Sequence, residues 1–228
     1  MSGYMGYIVL TGIMSVIGMV ISGRLKSKFQ HYAQVPLRSG KSGAEIAQTM
    51  LNYYGIHDVK ITQGRGTLTD HYNPVTKTVT LSPDVFNGRS IASAAVAAHE
   101  CGHAVQHAEA YAWLKLRSAI VPVVSFAAKA QQYLLLMALG VFGMGNNPTI
   151  LLITIAAFAI TAFFSFVTLP VEFDASNRAL AWLDNSNEMS RTEHDGAKDA
   201  LWWAAMTYVS AALSALVVLL YLVMRAER

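Results

Sequence analysis

The chain has 228 residues, of which 54% are hydrophobic and only 14% charged, well below the quarter or so of charged residues found in soluble domains. The formal charge of +3 comes with no basic stripe interleaved with aromatics, which excludes a nucleic-acid partner. The single cysteine, Cys101, excludes an internal disulfide and agrees with a reducing compartment.

Residues 1–23 contain no charged side chain and are long enough to cross a hydrocarbon core of about 30 Å. The basic residues Arg24, Lys26 and Lys28 follow this run instead of preceding it, so it reads as an anchor and not as a cleaved leader. Its Gly6, Gly12 and Gly18 give a slender surface suited to close packing against another helix. Val35-Pro36 and residues 39–43 read as loop. Gly40-Lys41-Ser42 lacks the first glycine of a phosphate-binding loop, since position 35 is Val, and nucleotide binding is dismissed. Ser42 with Glu45 forms a capping box, opening an amphipathic helix that runs to about Tyr54 and that Gly55 ends. Residues 59–63 and 66–71 are expected to be strands, residues 72–76 a turn, and the β-branched run 77–81 a third strand. The edge of such a sheet is suited to holding an extended peptide.

The Ala-rich run from Ile91 to Ala108 predicts a helix. Within it, Ala97-Ala98-His99-Glu100-Cys101-Gly102-His103 places two histidines one turn apart on one face, with a glutamate beside them. This H-E-x-x-H pattern is the zinc peptidase signature: His99 and His103 offer two nitrogen ligands, and Glu100 takes a proton from the attacking water and passes it to the leaving amine. His107 continues the row, but three ligands on successive turns of one helix lie nearly in line. It is therefore expected to act by hydrogen bonding around the ligands. A metzincin glycine is missing as well, because Gln106 stands three residues after His103.

Residues 118–145 form a second apolar stretch, broken by Lys129, Gln131 and Gln132; residues 149–169 form a third and residues 201–224 a fourth, both without charge. Between the second and third, an uncharged turn is expected at residues 143–148. At the end of the third span stands Leu169-Pro170-Val171-Glu172-Phe173-Asp174-Ala175-Ser176. Two carboxylates there are costly unless exposed, paired or bound to metal, and helical geometry puts them about 200° apart, so one of the two is expected as the third ligand. His194, in the polar segment 185–199, which reads as a loop, is a weaker candidate as a hydrogen-bond donor to the tetrahedral intermediate; Tyr208 is weaker still.

The motif His99-Glu100-x-x-His103, the segment Asp70-His71-Tyr72-Asn73-Pro74 and the later run 169–176 together resemble the YugP-like neutral zinc metallopeptidases, bacterial membrane proteins, over nearly the whole chain. More distantly, the chain is similar to the HtpX and CAAX prenyl protease group, whose third ligand is the Glu of a Glu-x-x-Ala-Asp pattern. That resemblance implies Glu172 as the ligand, with Ala175 matching the small residue. The Asp expected to support a ligand His would fall at Ser176, and Asp174 is the substitute it suggests.

The expectation is thus a mainly α-helical integral membrane protein with about four transmembrane helices and a small cytoplasmic α+β portion before the motif helix. Its parts are an anchor (residues 1–23), a zinc-peptidase region (24–117), a helical hairpin (118–170), a third-ligand segment (171–200) and a last span with a short tail (201–228). Zinc is the expected cofactor and protein or peptide the expected substrate. Membrane lipid is the surrounding partner, and an oligomer or a regulatory membrane partner is compatible with the sequence. Since 11 of the 17 Lys and Arg lie between Arg24 and Arg117, the positive-inside rule puts the motif on the cytoplasmic side, and the resemblance implies a bacterial plasma membrane. The rival from another class is a non-catalytic scaffold or holdase, which has no need of Glu100.

Overall fold

The computed structural model describes residues 2–140 and 147–227. The elements run α1 (Ser2–Ala33), α2 (Gly43–Tyr53), β1 (Lys60–Gln63), β2 (His71–Asn73), β3 (Thr78–Leu81), α3 (Pro83–Phe86), α4 (Ile91–Ala108), α5 (Ala112–Ala138), α6 (Pro148–Asn185) and α7 (Arg191–Ala226). Four of these helices, α1, α5, α6 and α7, are long and apolar enough to cross a membrane. The chain divides into two compact units, one of Met1–Ile21, Leu116–Leu169 and Met206–Arg228, the other of Ser22–Lys115 and Pro170–Ala205.

The first unit turns its apolar side chains outward. Met5, Val9, Ile13, Val16, Phe126, Tyr133, Leu152 and Leu220 are all exposed, a distribution that suits lipid and not water. Helices α1 and α7 approach through small residues: a Cβ added at Gly6 would stand 3.5 Å from the Tyr221 ring, and one at Gly18 would stand 3.8 Å from Ser210 Oγ. Gly12 faces no atom within 4 Å, so only two of the three glycines serve that packing. The expected turn at residues 143–148 lies mostly outside the described residues. Its Asn147 side chain caps α6, accepting from the amides of Thr149 and Ile150.

The second unit has a conventional core. Ser42 caps α2 with both bonds of the capping box present. The helix closes with Gly55 at φ +67°, where the Gly55 amide donates to Asn52 and the Ile56 amide to Leu51, the pairing that a left-handed residue after a helix allows. The sheet order is β1-β3-β2. β3 pairs parallel with β1, Ile61 opposite Val79, and antiparallel with β2, Tyr72 opposite Val79. Val79 and Leu81 are fully buried in the core with Ile46, Met50, Leu51, Trp182, Leu183 and the alanines of α4.

Two expectations are corrected. No strand forms over residues 66–71: Gly66 and Leu68 have φ of +87° and +57°, and the Asp70 carboxylate accepts hydrogen bonds from the Ser82 amide and hydroxyl, which draws the segment into a loop. The strand instead takes His71, Tyr72 and Asn73, and Asn73 Oδ1 accepts from the amides of Val75 and Thr76 to close a tighter turn than expected. Second, the polar segment 185–199 is not a long loop. Helix α6 continues through Pro170 to Asn185 and α7 begins at Arg191, opened by Ser190 and Glu193, which exchange side-chain and backbone hydrogen bonds as a second capping box. His194 therefore lies on a helix.

Candidate metal centre

Helix α4 starts at Ser90, whose hydroxyl accepts from the Ser93 amide, and nearly every residue from Ile91 to Gln106 is buried. The many alanines leave room for other backbones to come close. Helix α6 comes close at Gly102, where a Cβ would stand 2.5 Å from the Ala175 carbonyl oxygen. Only glycine fits there, and its absence of a side chain lets α6 bring Glu172 onto the histidine face of α4.

His99 and His103 stand edge to face, ring centroids 4.8 Å apart. Their Nε2 atoms lie 3.4 Å and 3.6 Å from the same oxygen, Glu172 Oε2, and one ligand atom from each of the three residues lies within 4.8 Å of the others. Ligand atoms about 2.0–2.2 Å from a tetrahedral zinc are about 3.3–3.6 Å apart, so each of the two nitrogens already sits near corner spacing from the shared oxygen. Glu172 is 2% exposed. Burial lowers the His103 pKa, but the carboxylates of Glu172 and Glu100 and a hydrogen bond to Gln106 outweigh it and leave it above the ordinary histidine value. The nitrogen and oxygen donors suit zinc.

The nitrogens facing away are both bonded. His99 Nδ1 is 3.1 Å from Ser176 Oγ and His103 Nδ1 is 3.0 Å from Gln106 Oε1. Gln106 in turn donates to the Val171 carbonyl and to Asp174 Oδ2, both at 2.8 Å. Arg178 donates to Asp174 and to Glu109, each at 2.6 Å. Glu100, next to His99 on the motif helix, is 8% exposed.

The structure brings together His99, His103 and Glu172, with Glu100 beside them. It puts Asp174 on a different face of α6, where it meets Gln106 and not the ligand nitrogens. Ser176, which sequence comparison presented as a missing Asp, itself bonds a ligand histidine. His107 points to the sheet, its Nδ1 2.7 Å from the hydroxyl of Tyr72 on β2; burial and the charge of Asp58 push that tyrosine up to about 12. His194 Nε2 donates to the Leu180 carbonyl at 3.2 Å, about 12 Å along α6 from Glu172 at 1.5 Å per residue. Sequence reasoning missed Gly102, whose need depends on a backbone 73 positions away, and gave no role to Gln106 and Arg178. A polar amide within an otherwise apolar helical run was the available signal for Gln106.

Residues 7–227 match the model of the family described as "Putative neutral zinc metallopeptidase". The chain is 43% identical over 206 residues to "Putative membrane protease YugP" of Bacillus subtilis (strain 168), covering 88% of this chain and 88% of that protein. No solved structure matches it.

Proposed function

We propose that this chain, which belongs to the neutral zinc metallopeptidase family, is an endopeptidase of the bacterial plasma membrane that hydrolyses membrane or membrane-associated proteins, with its site on the cytoplasmic side. His99, His103 and Glu172 hold the zinc. Bound zinc supplies a Lewis acid that lowers the pKa of a water to about 7 and polarises a carbonyl. Glu100 accepts the proton from the attacking water and returns it to the leaving nitrogen, and its low exposure keeps bulk water from competing for that proton. Ser176 and Gln106 hold the histidine rings so that both Nε2 atoms face Glu172. A substrate in extended form would align along the sheet beside α4, pairing with a strand edge.

The observation that carries the reading is the convergence of two imidazole nitrogens on one buried carboxylate oxygen, at 3.4 Å and 3.6 Å, with Glu100 next to His99 in the sequence. Glu100→Gln keeps the shape and removes the base. Purified in detergent, it is expected to hold stoichiometric zinc while hydrolysis of a quenched casein substrate falls by about 10²–10⁴-fold. Unchanged hydrolysis would refute the role of Glu100, and full cellular function of that variant would favour a scaffold. For orientation, Val75 is 90% exposed, and Val75→Cys is expected to react with a membrane-impermeant maleimide only after cells are permeabilised. Reaction in intact cells would reverse the assignment of sides.

A further inference from the structure

Gln106 is fully buried, three residues beyond His103 on α4. Its amide nitrogen lies against two oxygens, the Val171 carbonyl and Asp174 Oδ2, each at 2.8 Å. A carbonyl and a carboxylate can only accept. The NH2 end of the amide must therefore face them, which leaves Oε1 as the atom 3.0 Å from His103 Nδ1. Since Oε1 can only accept too, Nδ1 must carry the ring proton, and the lone pair of Nε2 is directed toward Glu172. Arg178 fixes the outer end of this chain by donating both to Asp174 and to Glu109, the residue that caps α4 at its C-terminal end. His99 has no equivalent constraint, because the Ser176 hydroxyl beside it can donate or accept.

We infer that Gln106 is a positioning residue that sets the tautomer and ring orientation of His103, with the Asp174–Arg178–Glu109 chain holding the amide in the one polarity that leaves Nε2 ready for metal. The inference rests on the zinc reading above. Removal of such an outer partner usually costs about 10- to 100-fold in metal affinity.

The test uses full-length protein in detergent, with zinc affinity from chelator competition and the absorption bands of the cobalt-substituted protein as a signature of ligand geometry. Gln106→Met keeps the length of the side chain and removes its hydrogen bonds; zinc affinity is expected to fall about 10- to 100-fold and the cobalt bands to shift. Circular dichroism and a cooperative melt establish folding, and Gln106→Asn, one methylene too short to span His103 and Val171, replaces the methionine variant if that does not fold. The inference is overturned if the folded single variant binds zinc as wild type does with unchanged cobalt bands. Glu172→Ala separates the two levels: if it keeps full zinc affinity, the zinc reading itself fails, whereas an empty Glu172→Ala beside an unaffected Gln106→Met removes only the positioning role.

Discussion

The surroundings of His99 and His103 differ although both rings aim Nε2 at one carboxylate oxygen. Around His103 every polar group has a single permitted polarity, from Glu109 through Arg178, Asp174 and Gln106 to the ring. Around His99 stands one hydroxyl, Ser176 Oγ, which turns to suit whichever tautomer it meets. Exposure follows the same order, the His99 side chain at 14% and the His103 side chain at 9%. On the proposed zinc reading, His103 is the ligand fixed before metal arrives and His99 the one that adjusts.

The comparison breaks most completely if the shared carboxylate is removed. Glu172→Ala leaves two nitrogens on one helix, and zinc affinity should drop by more than the roughly 100-fold that outer partners cost, read as loss of stoichiometric zinc by elemental analysis. Zinc retained in that variant would refute the three-ligand site. Next in size is Gly102→Val, which forces α4 and α6 apart at the point where a Cβ meets the Ala175 oxygen at 2.5 Å. Overpacking of this kind costs about 1–3 kcal/mol, so a lower melting temperature and weaker zinc binding should appear together; a change in only one would mean that the helix approach and the ligand geometry are separable. The smallest effect sharpens the asymmetry itself. Ser176→Ala removes one neutral hydrogen bond worth about 1 kcal/mol, or about fivefold in affinity, and should weaken zinc binding less than Gln106→Met does. The reverse order would mean that the hydroxyl, not the amide, sets the site.

What was legible in the sequence followed from local rules. The spacing of His99 and His103, the alanines around them and the Ser42–Glu45 box each act within a turn or two of helix, and each has its expected place in the structure. Glu172 was narrowed to one of two carboxylates by helical geometry, and the choice needed a family resemblance. The Ser190–Glu193 box obeys the same local rule as the first and marks the true start of α7, but the polar composition around it suggested a loop. Gln106, Ser176 and Arg178 could not be assigned because the partners that join α4 to α6 lie 65–77 positions away, and no local pattern encodes which helix faces meet. The loop at residues 66–70 is a similar case, decided by the reach of Asp70 to Ser82.

Between Glu100 and Gly102 sits Cys101, fully buried, its thiol turned to the Ala47 carbonyl of α2 and burial pushing its ionisation well above the ordinary thiol value. Thiol reagents act on the ionised and accessible form, so in the folded protein this sulfur is silent. It becomes reactive only in those moments when α2 lifts from α4, and the rate at which a dilute disulfide reagent modifies it measures the frequency of that opening. The protein thus contains its own clock for the breathing of the helix that carries the motif, one that can be read with and without zinc and without any introduced label.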